Sequence, residues 1–246
     1  MARKIQGILF DLGDTLLDFG KVDVLGKFEA GANLAYQYLS ELRLPLPSFA
    51  SFYRRQLWAF RWNYFKSRFT RREFNTLDIL GKSCMEMGHD VSHEQMLELA
   101  WRFYRPLASQ ASAEEGTREL LAELAAGGLR LGLVSNTFVP GQTLDRHLAE
   151  AKLLDLLPVR VYSCDAIHRK PSPEIFRLAL GQAQLEPEQT LFVGDSLEAD
   201  ILGANQAGMI SVLKDPQDRH RHSKIQPRHR IRRLAELREI LKRYNP

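Results

Sequence analysis

Short apolar runs recur along this chain, and each ends in a small or charged residue. They cover residues 5–10, 129–135, 159–163, 190–194 and 209–213, and segments with helical periodicity over 114–126, 141–150, 173–184 and 198–207 alternate with them. Runs of this kind are typical of strands that are buried on both faces. Strands that alternate with helices form a parallel sheet covered by helices on both faces. The pattern predicts an α/β fold with a Rossmann-like open parallel sheet.

One long segment interrupts this alternation. Residues 18–106 show helical periodicity only, with loop signals at 42–48, at Thr70 and at 87–92. We therefore predict two domains, a catalytic core from residues 1–17 and 107–246 and an all-helical cap from residues 18–106. Because the insert follows the first strand directly, we expect it to lie over the carboxyl ends of the strands.

The insert contains a stretch that is both basic and aromatic. No acidic residue occurs between Glu41 and Glu73. Segment 54–72 of this stretch carries the cations Arg54, Arg55, Arg61, Lys66, Arg68, Arg71 and Arg72. Tyr53, Leu57, Phe60 and Tyr64 recur at helical spacing, which predicts that they form the insert's own core. The cations of segment 54–72 form either a solvated face or a funnel for an anionic substrate.

Charge and composition exclude several classes of protein. The chain has 246 residues and a formal net charge of +4, and its basic character is concentrated in residues 214–246. That segment carries a strand-like piece and then Leu234, Leu237 and Leu241 at helical spacing, which indicates an edge of the fold rather than a nucleic-acid surface. No apolar run is long enough to span a membrane. We expect a cytoplasmic protein without a membrane partner, either a monomer or a homodimer.

Four short motifs stand at the predicted strand ends. They are FDLGDTL (10–16), VSNT (134–137), RKPSPEIF (169–176) and VGDSLEAD (193–200). Ligands of open α/β sheets bind at this edge of the sheet. The order of the motifs, with a helical insert after the first, resembles the haloacid dehalogenase superfamily of hydrolases. It is similar to the branch whose helical cap, of the C1 type, lies between the first and second motifs.

The resemblance implies a nucleophile and a metal site. Asp11 matches the aspartate that attacks the substrate and, with a phosphate ester, becomes an acyl-phosphate. Asp11, Asp195 and the backbone carbonyl of Gly13 would form an all-oxygen site for Mg²⁺, which prefers such ligands. The implied substrate is a small phosphorylated or otherwise anionic molecule.

The resemblance also implies groups that bind the phosphoryl oxygens. The Ser135 hydroxyl and the backbone N–H of Asn136 would hold one of these oxygens. Lys170 would balance the charge of the nucleophile and of the phosphate, so that Asp11 stays ionised. Asp200 would anchor Lys170 or the water molecules on the metal.

The first motif departs from the family pattern at Gly13. Phosphatases of this family usually carry a second aspartate at that position, which protonates the leaving oxygen and then activates water. The nearest carboxylate here is Asp14, one residue later. Asp14 either forms the turn by hydrogen bonding to nearby backbone or replaces the missing general acid.

Three functions remain open at this point. The first is a Mg²⁺-dependent phosphatase that acts on a good leaving group or on a substrate that assists its own protonation. The second is a 2-haloacid dehalogenase, which needs no acid for a halide, although the acidic residue Asp195 argues against it. The third is a non-catalytic member of the fold that binds a partner. The sequence contains no GxxxxGK[ST] or GxGxxG motif, so ATP-driven transfer and nicotinamide chemistry have no support.

Overall fold

A six-stranded parallel sheet forms the centre of the molecule. The computed structural model describes residues 4–70 and 72–245, apart from the side chain of Arg68. The strands in this part of the chain are β1 (Gly7–Phe10), β2 (Leu17–Asp18), β3 (Ser112–Ala113), β4 (Arg130–Ser135), β5 (Val159–Tyr162), β6 (Thr190–Gly194), β7 (Ile210–Lys214) and β8 (His229–Ile231). The sheet has the order β5-β4-β1-β6-β7-β8, and all neighbouring strands are parallel. The predicted α/β class and the five predicted strands are confirmed.

Helices cover the sheet and make up the insert. Those of the insert are α1 (Val24–Glu41), α2 (Phe49–Thr70), α3 (Thr76–Glu86) and α4 (His93–Ala108). Those around the sheet are α5 (Thr117–Ala126), α6 (Gly141–Glu150), α7 (Ser163–Ala166), α8 (Pro173–Ala183), α9 (Gly203–Gln206) and α10 (Leu237–Tyr244), with a π-helical segment at Leu197–Leu202. The breaks between the insert helices lie near the three predicted loop signals. The helix α4 continues past Pro106 to Ala108, although the proline cannot donate a hydrogen bond to the carbonyl of Arg102.

The insert joins the core through a short ribbon. Strand β2 pairs antiparallel with β3, so that Leu17 lies beside Ala113. The chain therefore leaves the core and returns to it at neighbouring points. Between these points the four helices pack around their own apolar cluster, which includes Ala32, Leu39, Phe52, Leu80 and Leu99.

Helix α2 has two aromatic faces, and this corrects one of our predictions. Its buried face carries Phe52, Gln56 and Phe60, whereas the side chain of Tyr64 is 49% exposed. Helical spacing predicted that Tyr64 lies in the core. The helix carries aromatic residues on several sides, so spacing alone does not show which side is buried. The opposite face exposes Trp58, Trp62, Phe65 and Phe69 to solvent.

The basic residues of the insert lie largely outside the cavity at the strand ends. Arg54 and Arg61 line a shallow groove on the outer surface of α2, together with Trp58 and Trp62. The side chain of Arg68 and the whole of Arg71 lie outside the described residues.

The basic C-terminal segment forms an edge of the sheet. Strand β8 pairs with β7 only, and Leu234, Leu237 and Leu241 are buried against the core. This confirms the interpretation of residues 214–246 as an edge of the fold. In the described part of the chain, we find no helix with both the length and the apolar character needed to cross a bilayer.

Candidate active site

The carboxyl ends of three neighbouring strands bring the sequence motifs together. β1 lies between β4 and β6, and Phe10 is in register with Leu133 on one side and Val193 on the other. Asp11 follows β1 directly, and Asp195 follows β6. Ser135 ends β4 and is buried. The parallel order of the sheet therefore places the first, second and fourth motifs side by side.

Lys170 connects the third motif to two of these carboxylates. Its Nζ donates hydrogen bonds to Oδ1 of Asp11 at 2.5 Å and to Oδ1 of Asp200 at 2.6 Å. The ammonium group is almost completely buried, and so is Asp200. An unpaired buried charge destabilises the folded state by several kcal/mol. Asp11, Lys170 and Asp200, which we call the triad, therefore stabilise the fold only when all three are present.

Asp200 makes a second contact besides the one with Lys170. Its Oδ2 accepts a hydrogen bond from the backbone N–H of Ser196 at 2.9 Å. A side chain at Gly194 would collide with the Asp200 carboxylate. Gly194 is thus required for Asp200 to approach Lys170, and the structure places Asp200 as an anchor of that lysine.

Asn136 holds the backbone of Lys170. Its Nδ2 donates to the Lys170 carbonyl at 2.9 Å, and its Oδ1 accepts the Lys170 N–H at 2.7 Å. This two-point contact fixes the third motif to the end of β4. The sequence suggested only the backbone N–H of Asn136, because the two partners are 34 positions apart and no local pattern connects them.

Burial dominates the electrostatics of the carboxylates. Burial raises the pKa of Asp11 to about 7, against the opposing effect of the Lys170 ammonium. Burial also raises the pKa of Asp195 to about 6, and the nearby Asp200 carboxylate adds to this effect. For Lys170, burial lowers the pKa, but the Asp11 and Asp200 carboxylates outweigh it, so that the pKa lies above its ordinary value. Crowded carboxylates with raised pKa values are typical of catalytic and metal sites.

The chemistry of the acidic residues fits a hard divalent cation. One oxygen each from Asp11, Asp195 and Asp200 lie within 4.8 Å of one another. Both oxygens of Asp200 already accept hydrogen bonds, whereas Oδ2 of Asp11 accepts none from the described residues. Asp11 and Asp195 are therefore the carboxylates that could hold Mg²⁺, which takes few protein ligands and keeps several waters.

Gly13 and Asp14 form the turn after the nucleophile position. Asp14 has a φ of 54° and is exposed, and its Oδ1 accepts the N–H of Phe19 at 3.2 Å. The geometry is that of a turn-forming residue, and Asp14 is not among the residues that line the cavity. Gly13 does line it, and a Cβ at this position would make only an ordinary contact of 3.8 Å with Phe19.

All seven site residues that the sequence suggested surround one cavity of about 360 Å³. They are Asp11, Gly13, Ser135, Asn136, Lys170, Asp195 and Asp200. Tyr64 and Glu73 of the insert face them across the cavity, together with Phe19, Phe138 and Arg169. The sequence analysis did not select Arg169 or Glu73. Arg169 directly precedes Lys170 in RKPSP, and this position could have indicated Arg169 as a site residue.

Short contacts attach the insert to the rim of this cavity. The Thr76 hydroxyl donates to the carbonyl of Phe138 at 2.7 Å, and the rings of Phe74 and Phe138 stack at 5.1 Å. The Glu73 carboxylate accepts the hydroxyl of Ser163 at 3.3 Å. The insert therefore forms one wall of the cavity.

The fold is of the α/β class, and its acidic side chains cluster at the carboxyl ends of parallel strands. Residues 5–208 match the haloacid dehalogenase-like hydrolase family. Since the match covers most of the chain, the protein belongs to this family and is a hydrolase.

Comparison with individual proteins agrees with this assignment. The chain is 27% identical over 216 residues to a ribulose-1,5-bisphosphate 5-phosphatase of Halopiger xanaduensis, covering 86% of this chain and 85% of that protein. It is 28% identical over 209 residues to the pyrophosphatase PpaX of Bacillus cereus, covering 83% of this chain and 81% of the other. The crystal structure of a 2-haloacid dehalogenase from Pseudomonas syringae superposes with a TM-score of 0.66 at 25% identity, covering 98% and 99% of the two chains.

Proposed function

We propose that this protein is a Mg²⁺-dependent phosphatase that acts on a small phosphorylated metabolite through an aspartyl-phosphate at Asp11. Residues 18–106 would serve as its cap domain. The observation that carries the proposal is the buried triad in which Lys170 joins Asp11 to Asp200, with Asp195 beside it. A nucleophile, its lysine and an anchoring carboxylate would also serve a halide leaving group, so the additional carboxylate of Asp195 is the group that favours a metal-dependent phosphatase.

The residues have the following roles in this proposal. A carboxylate oxygen of Asp11 attacks phosphorus, and the bond to the leaving oxygen breaks with its electron pair. Water then attacks phosphorus, which releases phosphate and restores the Asp11 carboxylate. Lys170 balances the negative charge at Asp11 and on the phosphoryl oxygens. The Ser135 hydroxyl has no hydrogen-bond partner among the described residues, so it is available to a phosphoryl oxygen.

Magnesium held by Asp11, Asp195 and the Gly13 carbonyl would supply positive charge for the phosphoryl oxygens. The raised pKa values of Asp11 and Asp195 support this assignment, because a cation between them stabilises both ionised carboxylates. Asp200 is occupied by Lys170 and Ser196, so we assign it no direct metal contact.

The glycine at position 13 restricts the leaving group. No carboxylate stands at the position that usually protonates the leaving oxygen, and the Asp14 side chain is engaged in its own turn. A general acid typically contributes about 10²–10⁴-fold to the rate. We therefore propose substrates with a leaving group that departs readily, such as a phosphoanhydride. The similarity to a pyrophosphatase supports this choice.

The test compares two phosphate esters that differ in their leaving group. We expect 4-nitrophenyl phosphate to be hydrolysed only with Mg²⁺ and not by Asp11→Asn, and we expect an alkyl phosphate to react poorly. The Gly13→Asp variant should then accelerate hydrolysis of the alkyl ester by about 10²–10⁴-fold and leave the nitrophenyl ester almost unchanged. Absence of metal-dependent turnover of 4-nitrophenyl phosphate would refute the phosphatase assignment.

A 2-haloacid dehalogenase is the second candidate, because Gly13 is compatible with a halide leaving group and a dehalogenase shares the fold at a TM-score of 0.66. Release of halide from a 2-haloacid in the presence of a chelator would favour it. The position of Asp195 within 4.8 Å of Asp11 favours the phosphatase.

A further inference from the structure

The cavity contains a second cation that the proposed chemistry does not use. Among the described residues, Lys170 and Arg169 are the two cationic side chains that line it. Lys170 is fully engaged by the carboxylates of Asp11 and Asp200. Arg169 is 26% exposed, whereas the Glu73 carboxylate beside it is only 4% exposed.

Arg169 is held at one edge of its guanidinium group. Nη1 lies 3.4 Å from Oγ of Ser67 and 3.6 Å from Oε2 of Glu73, and both partners belong to the insert. Nε and Nη2 donate no hydrogen bond to any residue that the structure describes. A guanidinium group has five N–H donors in a planar fork, so one edge remains available for a ligand.

The position of Arg169 along the chain is also fixed. Asn136 holds both backbone polar groups of the next residue, Lys170. Consecutive Cα atoms are about 3.8 Å apart, so the two cations start from neighbouring points. Lys170 faces the nucleophile, and Arg169 faces Ser67 and Glu73 of the insert.

A purely structural role would leave these observations unexplained. If Arg169 only attached the insert to the core, Glu73 would be expected to accept two parallel hydrogen bonds from one edge of the guanidinium group, as is frequent for arginine and carboxylate. Instead the Glu73 carboxylate is shared, since it also accepts the hydroxyl of Ser163 at 3.3 Å. Glu73 and Ser67 therefore orient the guanidinium group, but they leave the N–H donors of Nε and Nη2 without an acceptor among the described residues.

We propose that Arg169 binds a second anionic group of the substrate, a carboxylate or a second phosphoryl group, in the cavity that it lines together with Asp11. The inference rests on the proposed phosphatase function and narrows it. The substrates are small phosphorylated molecules that carry a second negative charge. Glu73 acts as a positioning residue for Arg169.

The experiment uses a matched pair of substrates, 3-carboxyphenyl phosphate and 3-carbamoylphenyl phosphate. The two have the same shape, and only the first carries the second charge. The wild type should favour the carboxylate in kcat/KM. Arg169→Gln should lower this preference by about 10-fold or more, because a charge-assisted hydrogen bond is lost, and the loss should appear in KM. Arg169→Lys should keep part of the preference.

The matched control is Arg177→Gln, which removes an exposed arginine of α8 outside the cavity. It should leave the preference unchanged. Glu73→Ala should lower the preference for the carboxylate, because the guanidinium group is no longer oriented, whereas Glu73→Gln, whose amide oxygen can still accept from Nη1, should keep more of it. An unchanged ratio in Arg169→Gln, or an equal loss for both substrates, would overturn the proposal and leave Arg169 as a structural contact.

A binding measurement separates this inference from the proposed function. Calorimetry with 3-carboxybenzylphosphonate and its carboxamide analogue needs no turnover. Weaker binding of the carboxylate alone in Arg169→Gln would support the second anion site even if neither ester is hydrolysed. Equal affinity of the two phosphonates in the wild type would refute it, whatever the catalytic activity.

Discussion

Replacing Lys170 by methionine should be among the most destabilising single changes in this protein. The substitution keeps an unbranched side chain of similar length up to Cε but removes the ammonium group between Asp11 and Asp200. Two buried carboxylates then face each other without a cation. Breaking a buried pair from one side typically costs about 3–5 kcal/mol. For a chain of this size, each kcal/mol lowers Tm by about 2–4 °C, so we expect a fall of roughly 6–20 °C.

The pH at which this effect is measured follows from the pKa of Lys170. That pKa is raised above its ordinary value, since the two carboxylates outweigh the effect of burial. A group of this kind contributes its full stabilisation below its ordinary pKa and loses it as the pH rises through the folded-state pKa. Thermal and urea unfolding at pH 7.5, with a chelator present, therefore measure the effect with Lys170 charged and with Asp11 mostly ionised, since this pH lies above its pKa of about 7.

The control is a second buried lysine outside the site. Nζ of Lys214 donates to the carbonyl of Thr15 at 2.8 Å and lies 3.7 Å from the partly exposed Glu114. Lys214→Met should cost about 1–3 kcal/mol, because it leaves no pair of buried charges. Adding Asp200→Asn to Lys170→Met should recover part of the loss. If Lys170→Met is no less stable than Lys214→Met, the reasoning about the triad is wrong.

Three further predictions follow from contacts outside the triad. Asn136→Ala should lower kcat by about 10-fold or more with little change in the fold, since the two hydrogen bonds that position Lys170 are lost; steady-state kinetics and circular dichroism check this, and an unchanged kcat would contradict it. On α2, Phe60→Ala should destabilise the protein by about 3–5 kcal/mol and Trp58→Ala by less than about 0.5 kcal/mol, because the first side chain is buried and the second is exposed; equal losses in urea unfolding would show that the two faces are assigned incorrectly. Burial lowers the pKa of His147, whose Nδ1 lies 3.0 Å from the Tyr104 hydroxyl. Its contribution to stability is present above the ordinary histidine pKa of about 6.5 and is lost as the pH falls through the folded-state pKa. The difference in unfolding free energy between pH 7.5 and pH 5 should therefore shrink in His147→Gln, and an identical difference in both proteins would refute the assignment.

The sheet and the reacting end of the site could be predicted because their signals are local. Each strand is a short apolar run, and the residue that follows the run determines which side chain stands at the sheet edge. Asp11 and Asp195 come directly after β1 and β6, so the parallel topology alone brings them together. The π-helical turn at Leu197–Leu202 had no such signal, since its periodicity differs little from that of an α-helix.

The wall of the cavity that the insert forms could not be predicted in the same way. Arg169 and Ser67 are separated by 102 residues, and they meet only because the insert folds back onto the end of the sheet. The orientation of α2 depends on which of its two aromatic faces finds partners in α1 and α3. Tyr64 was assigned to the core for this reason, although it lines the cavity instead.

The ribbon of β2 and β3 makes the insert a replaceable module. Leu17 and Ala113 are paired neighbours, so everything between them enters and leaves through a single junction. No strand of the six-stranded sheet comes from that region. Exchange of the helical segment would therefore change the wall that faces the substrate while Asp11, Lys170 and Asp195 keep their places. The covalent connection is thus confined to one place, and the remaining contacts between the insert and the core are made by side chains at the rim of the cavity.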